Sequence, residues 1–221
     1  LIRIYWGKRM WELVKAGGWL MLPLVLCSVF TVAITIERFM RLKRAGILPN
    51  ALLLNRGQSL ATVLQQLNQS ANLNNSTLGR IFEAGERNKQ RSEHYARAQM
   101  EATASQEIGY LEKNINFLGT LSAVAPLLGL LGTVVGIIES FLAIDIGTNS
   151  NPTMMIPGIS KALITTAAGM LIAIPALFAY RYFQRLVLEY VAELEQQSTL
   201  FHAALFYQNS AVEEQELRKA G

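Results

Sequence analysis

Residues 117–143 of the chain read FLGTLSAVAPLLGLLGTVVGIIESFLA, and this stretch decides the fold. No charged residue occurs from position 114 to position 138, which is long enough for an α-helix, rising about 1.5 Å per residue, to cross a bilayer. Small and polar residues recur on one side of this helix, and Leu, Val and Ile occupy the other. The residues of this stripe are Ser122, Gly129, Thr133, Gly136 and Ser140, with Pro126 beside it.

The small-residue stripe is unusual for a helix that only anchors a protein. It indicates close packing against another helix, as in the GxxxG spacing of Gly132 and Gly136, or a surface in contact with water. A second uncharged run, residues 162–180 (ALITTAAGMLIAIPALFAY), carries a similar stripe. Its residues are Ala162, Thr166, Gly169, Ala173 and Ala176.

Two threonines, Thr133 and Thr166, lie near the middle of the two predicted spans, each on its small-residue face. A threonine in a spanning helix commonly bonds a carbonyl of its own helix and has no further role. In a hydrated pore, a hydroxyl can instead replace part of the hydration shell of an ion. The matched depth and matched surroundings favour an ion pathway lined by both threonines.

The composition is that of a multi-pass membrane protein. Of the 221 residues, 51% are hydrophobic and 16% are charged, whereas about a quarter are charged in ordinary soluble domains. The net charge of +4 accompanies no nucleic-acid-binding motif, so the basic residues are assigned to topology and the lipid surface. The single cysteine, Cys27, excludes an intrachain disulfide. His94 and His202 lack companions at ligand spacing, so we expect no metal. The sequence has no Walker loop, nucleophile elbow or carboxylate pair, so we expect no cofactor and no enzymatic activity.

Charge and helix-breaking residues divide the chain into three spans and the segments between them. We expect an all-α, polytopic membrane protein with three transmembrane helices, two of which extend into a cytoplasmic helical bundle. The predicted segments are an amphipathic amino-terminal segment (1–15), a first transmembrane helix (16–36), a cytoplasmic helical loop (37–116), a second transmembrane helix (117–143), a connector (144–157), a third transmembrane helix (158–180) and a cytoplasmic helical tail (181–221).

The helices beyond the spans are predicted to be long. No strong helix breaker occurs from Ser92 to Pro126, so one continuous helix is expected from about Ser92 to Ala143. The apolar positions expected to be buried in the bundle are Ile81, Phe82, Leu111 and Leu194.

Basic residues predict the orientation of the spans. A basic flank follows the first span, Arg181 and Arg185 follow the third, and the connector has no Lys or Arg. Because cytoplasmic flanks are enriched in these residues, the connector and the amino terminus are placed in the periplasm and the carboxyl terminus in the cytoplasm. Four basic residues before the first span run against this orientation, and Met10 is an alternative start.

Glu139 and Lys161 are the ionisable residues within the second and third spans. They lie about 9 and 7.5 Å outward of Thr133 and Thr166 by the helical rise, at nearly the same depth. Because a charge at mid-bilayer costs about 3 kcal/mol, we expect an ion pair between helices or between subunits. The alternative is that Lys161 snorkels outward while Glu139 meets interfacial water.

Two motifs resemble the signature spans of the ExbB/TolQ/MotA proton-channel family: APLLGLLGTVVGIIESF at 125–141 and PGISKALITTAAGMLIAIPALFAY at 157–180. Three spans with one sizeable loop resemble ExbB or TolQ more than the four-span MotA. The resemblance implies a stator subunit of the bacterial inner membrane, forming a homopentamer around an ExbD-like single-span partner whose aspartate carries the proton. The implied output is work on a TonB-like protein for outer-membrane transport, or a TolQ-like role in Tol-Pal envelope integrity.

The resemblance also assigns residues. The family's pore threonines correspond to Thr133 and Thr166, whereas its intramembrane glutamate corresponds to Lys161, so Glu139 is a partial substitute. The motifs leave the ExbB or TolQ role and the choice of H⁺ or Na⁺ open. An alternative hypothesis, from another functional class, is that the protein is a non-conducting membrane scaffold that uses its small-residue faces only for packing. If the protein is a channel subunit, a ring oligomer is expected, because these faces would have no partner within a three-span monomer.

Overall fold

The structure is a computed structural model that describes residues 17–54, 59–145 and 152–220, with side chains described within 17–54, 59–143 and 153–207. The predicted amphipathic segment 1–15 and most of the connector lie outside the described residues. The described residues form helices and no strand, which confirms the all-α prediction. The helices are α1 (Met21–Arg41), α2 (Arg44–Ile47), α3 (Leu60–Gln69), α4 (Ala71–Asn74), α5 (Thr77–Asn88), α6 (Glu93–Glu112), α7 (Ile115–Asp145) and α8 (Ile156–Ala220), with 3-10 turns at Asn50–Leu52 and Pro152–Met155.

Three stretches of helix are long and apolar enough to cross a membrane, as the sequence predicts. They lie at Met21–Arg41, Glu93–Ala143 and Thr153–Tyr207, with mean hydropathies of 1.7, 2.2 and 2.1 in their most apolar windows. The first begins later than residue 16 because Gly18, in the left-handed region at φ 74°, precedes it. Pro23 then falls in the first turn of α1, where a missing N–H costs no helical hydrogen bond.

The chain divides into two compact units. The span unit comprises Leu1–Glu37 and Asn114–Phe183, and the polar unit comprises Arg38–Lys113 and Gln184–Gly221. In the polar unit, helices α3, α5 and α6 each begin after a serine whose side chain accepts a hydrogen bond from a backbone N–H of the first turn. These capping serines are Ser59, Ser76 and Ser92.

The core of the polar unit is built from α5, α6 and α8. Phe82 stacks on Phe201 with ring centroids 4.0 Å apart, and Gln197, fully buried, accepts a hydrogen bond from the backbone N–H of Leu54 at 2.9 Å. The four apolar positions predicted to be buried are buried here, at 8% relative exposure or less: Ile81, Phe82, Leu111 and Leu194.

The expectation of one unbroken helix from Ser92 to Ala143 is wrong. Helix α6 ends at Glu112 and α7 begins at Ile115, because Asn114 adopts a φ of 64°. Asparagine is among the few non-glycine residues that enter this region readily, so the sequence shows no Gly or Pro at the break. Within the span unit, the Asn114 amide donates to Glu37 Oε2 at 3.1 Å.

The end of α6 is held by a buried arginine of the polar unit. Arg38 is 1% exposed, and its Nη1 donates to the carbonyls of Leu111 and Tyr110 at 3.3 and 3.4 Å. The last carbonyls of a helix have no partner within that helix, and a cation there also offsets the negative end of the helix dipole. Arg38, predicted as part of a basic flank, therefore has a structural role as well.

Candidate ion pathway

Helices α7 and α8 approach each other so closely that only small residues fit between them. A Cβ added to Gly169 would lie 2.6 Å from the carbonyl oxygen of Ala125, and one added to Gly136 would lie 2.6 Å from that of Gly158. Real Cβ atoms essentially never come this near to backbone. The two small-residue stripes therefore pack against each other along one chain, in the small-xxx-small manner of membrane helices.

This packing overturns the reason given above for a ring oligomer. The stripes do have a partner within the monomer, since Gly129 contacts the backbone of Thr166 and Gly136 contacts Ala162. The sequence places both stripes correctly but cannot show that they face each other. An argument for an oligomer must therefore rest on other surfaces.

Thr166 lies in this contact and bonds across it. Its Oγ1 donates to the carbonyl of Gly129 at 2.9 Å, while Thr133 Oγ1 donates to the carbonyl of Leu130, one turn back on its own helix, at 2.6 Å. Both residues are half-buried in the single chain. A hydroxyl has one proton, so each threonine oxygen keeps only lone pairs for any further partner. In this arrangement both hydroxyls can accept hydrogen bonds and cannot donate another.

A third threonine, Thr165, was missed by the sequence analysis. It is completely buried, its Oγ1 donates to the carbonyl of Ala162 at 2.9 Å, and it fills the space that the missing side chain of Gly132 leaves. A period of 3.6 from Ala162 falls between positions 165 and 166, so periodicity alone does not separate the packed threonine from its half-buried neighbour.

Glu139 and Lys161 meet within one chain. Lys161 Nζ lies 2.8 Å from each carboxylate oxygen of Glu139, so the ammonium bridges both. The Lys161 side chain is 19% exposed and that of Glu139 is 45% exposed, so the carboxylate is the more accessible partner. We refer to these two residues as the charged pair. The sequence left open whether they would pair within or between subunits.

The other predicted residues of the stripes are packed within or between helices α7 and α8. Ser122 donates to the carbonyl of Gly119 at 2.7 Å, and Pro126, within α7, has no N–H for the carbonyl one turn back. Ser140, 1% exposed, donates to the carbonyl of Gly136 at 2.8 Å, and its Oγ lies 3.2 Å from the carbonyl oxygen of Met155. The stripe residues that are buried are Gly129, Gly132, Gly136, Ser140, Ala162, Gly169, Ala173 and Ala176.

Among the described residues, no three His, Cys, Asp or Glu side chains are grouped so that they could hold a metal ion. The two histidines belong to the polar unit, where His202 Nε2 lies 3.9 Å from Glu93 Oε1. The site is thus built from hydroxyls, carbonyls, small residues and one ion pair. Such groups can accommodate water and a cation in transit, and they provide no nucleophile with an activating base.

Comparison with known proteins gives a consistent set of relatives. Residues 73–196 match the profile of the MotA/TolQ/ExbB proton channel family. A putative biopolymer transport protein ExbB-like 1 of Synechocystis is 32% identical over 206 residues, covering 87% of this chain and 78% of its own length. The biopolymer transport protein ExbB of Salmonella typhimurium is 32% identical over 183 residues, covering 79% and 75%. The Tol-Pal system protein TolQ of Haemophilus influenzae is 43% identical over 81 residues, covering 37% and 36%.

Proposed function

Because this chain belongs to the MotA/TolQ/ExbB proton channel family, we propose that it is the multi-pass stator subunit of an inner-membrane complex driven by the proton motive force. An ExbD-like single-span partner would carry the proton, and a TonB-like protein would receive the work for outer-membrane transport. An ExbB-like role is preferred over a TolQ-like role because two ExbB-named relatives match over 87% and 79% of the chain. Two TolQ-named relatives match over 37% and 41% of the chain.

The hydroxyl geometry of Thr133 and Thr166 is the observation that carries the proposal. Each donates its proton to a backbone carbonyl, so each presents only lone pairs to the pathway. Such an oxygen can accept a hydrogen bond from a hydrated proton or from a protonated carboxylic acid on a partner helix. It stabilises the protonated carrier and offers no donor to the deprotonated carboxylate.

The pathway must lie between copies of the chain. Helices α7 and α8 are in backbone contact at Gly129 and Gly169, so no lumen can pass between them within one subunit. A hydrated channel lined by both threonines therefore needs several subunits around a common axis, as in the homopentamer that the resemblance implies. The partner helices would occupy that axis. We propose that the connector and the amino terminus face the periplasm and the carboxyl terminus the cytoplasm, with the polar unit on the cytoplasmic side.

Proton uptake into proteoliposomes tests the conducting role. Vesicles holding this chain with its ExbD-like partner should take up protons when an inward potential is imposed. Vesicles whose partner has its membrane aspartate replaced by asparagine should not. Equal uptake by both preparations, or uptake by neither, would contradict the proposal. Isolation of the complex from its own host with a TonB-like protein would support the ExbB-like role, and isolation with a TolA-like protein the TolQ-like role.

Access of water to Thr133 distinguishes a proton channel from a non-conducting scaffold. Cys27 is the single cysteine, so a Cys27→Ser background allows one new cysteine to be placed at Thr133 or at the fully buried Thr165. In the assembled complex, a small charged thiol reagent should modify the cysteine at position 133 and leave the one at position 165 unmodified. If neither position reacted, the face would be dry and the scaffold hypothesis would be preferred.

A further inference from the structure

Gly18, in the turn before the first span, contacts the charged pair. This residue lies just before α1 and has a φ of 74°. A Cβ added to it would lie 2.2 Å from Lys161 Cε and 2.7 Å from Lys161 Nζ. The end of the lysine side chain therefore occupies the space that any other residue at position 18 would fill with its own side chain.

The contact is steric, because the described part of the first span before Glu37 contains no charged residue that could attract the lysine. The lysine is enclosed on one side by the backbone of Gly18 and on the other by the Glu139 carboxylate, which is 2.8 Å from Nζ. This enclosure agrees with the exposures of the pair, since Lys161 is 19% exposed and Glu139 is 45% exposed. The first span thus covers the cation and leaves the anion accessible.

We propose that Gly18 is a positioning residue for the charged pair: its bare backbone forms the recess that holds Lys161 Nζ on both oxygens of Glu139. Any effect of this pair on the ion pathway rests on the proposed function, whereas the recess itself does not. The turn that leads into the first span then sets the position of a cation next to the two spans that we propose line the pathway. Replacement of a residue in the first span would change the charge distribution there without altering any charged residue.

The short distances from an added Cβ at position 18 identify which atoms would move when Gly18 is replaced. The atoms closest to the added Cβ belong to the far end of a flexible side chain, so the lysine is displaced while the backbone can stay in place. Alanine adds the Cβ and also strains the backbone at a positive φ. Asparagine adds the Cβ but tolerates this region, so Gly18→Asn separates displacement of the lysine from strain.

Zero-length coupling by a carbodiimide measures the position of Nζ directly. In the full chain reconstituted in nanodiscs, the reagent should join the Glu139 carboxyl to the Lys161 amine as an amide, with loss of one water. Trypsin then cannot cleave after Lys161, and the fragment 114–181 survives intact. We expect this fragment from the unaltered chain and its loss in Gly18→Asn and Gly18→Ala, down to the level of Glu139→Gln, which has no carboxyl to couple and is still cleaved after Lys161.

The matched control is Gly17→Ala in the same turn. The three atoms nearest to its added Cβ belong to Met21 and Thr165, with Met21 Cγ at 2.4 Å, so coupling should persist at the unaltered level. Unchanged coupling in Gly18→Asn would overturn the proposal. So would loss of coupling in Gly17→Ala together with both Gly18 variants, because the turn would then be acting as a whole. Coupling does not require ion flux, so a chain that couples normally but does not conduct would contradict the proposed function alone.

Discussion

Among single residues, Thr133 and Thr166 have the same chemistry but different partners. Thr133 bonds its own helix and Thr166 bonds the neighbouring one, so only Thr166 also joins α7 to α8. Loss of the Thr166 hydroxyl would remove one interhelical hydrogen bond, which contributes about 1 kcal/mol to stability. Replacement of Thr166 should therefore lower the stability of the protein more than replacement of Thr133, even if both hydroxyls contribute equally to conduction.

We expect Thr133→Val and Thr166→Val each to lower proton-driven output, and the double variant to lower it by about tenfold or more, equivalent to ~1.4 kcal/mol. Valine keeps the shape of threonine and removes the lone pairs that accept from the proton carrier. Output is measured as proton uptake by proteoliposomes, and assembly is measured on the same samples by size-exclusion chromatography. Full activity of the double variant would reassign both threonines to packing. A dissociated complex would show a structural role instead.

We expect replacements of Glu139 and Lys161 to have non-additive effects on stability. Lys161→Met and Glu139→Gln each leave one charge without its partner in a low-dielectric setting, whereas the double variant leaves none. Because Glu139 is 45% exposed, we expect a coupling energy of only about 1 kcal/mol in the double-mutant cycle. Thermal unfolding of the detergent-solubilised chain gives this energy. Strictly additive losses would show that the two residues act independently, and tolerance of Lys161→Arg with loss in Lys161→Glu would then indicate a role for positive charge alone.

At the scale of elements, the contact between α7 and α8 depends on missing side chains. Gly129 and Gly169 bring the two backbones together, and Thr165 fills the space beside Gly132. In a membrane, helices gain little from burying apolar surface, so close van der Waals packing and interhelical hydrogen bonds must hold them. The sequence of small residues therefore determines a helix pair whose other faces remain available for lipid, partner helices or further subunits.

Gly169→Ala should destabilise this helix pair by about 2 kcal/mol, because the added Cβ would lie 2.6 Å from the backbone oxygen of Ala125 and one helix must shift. The matched control is Gly109→Ala in α6, where an added Cβ has nothing within 4 Å. That change should be neutral or stabilising by roughly 0.5–1 kcal/mol, since alanine is the better helix former. Thermal unfolding in detergent compares the two. Equal effects at both positions would show that the close approach at Gly169 is not needed.

At the scale of the whole molecule, the prediction of a ring now has a different physical basis. The small-residue faces are satisfied within one chain, so the ring that we propose would need other faces of the spans. The exposed large apolar residues of α7 and α8 supply such faces, for example Leu127, Leu163 and Leu171, each at least 63% exposed in the single chain. In a membrane these residues can contact lipid or a neighbouring subunit equally well.

Native mass spectrometry in mild detergent should show a homo-oligomer of this chain, with five copies as the expected number. The reason is that two helices in backbone contact cannot enclose a pathway alone, so several subunits must surround it. Gly169→Ala should lower the fraction of assembled complex and Gly109→Ala should not. A chain that remains monomeric across several detergents and in nanodiscs would contradict both the ring and the pathway proposed for it.

The amino-acid sequence alone was enough to predict the all-α class, the three apolar spans and the two small-residue stripes. It also identified the candidate residues Thr133, Thr166, Glu139 and Lys161. These features are local: an uncharged run long enough to span a bilayer and a period of 3.6 can be read without knowing what lies opposite. The same reasoning predicted the burial of Phe82 and Leu194, because apolar residues on a polar helix must face a core.

The tertiary structure decided what those features contact. It showed that the stripes face each other, that Thr165 rather than Thr166 is the fully buried threonine, and that the charged pair forms within one chain. It also placed the break at Asn114 and the recess at Gly18. Each of these depends on residues far apart in the chain or on one backbone angle, and neither periodicity nor composition carries that information. Which side chain a glycine makes room for is settled only when the neighbouring helix is in place.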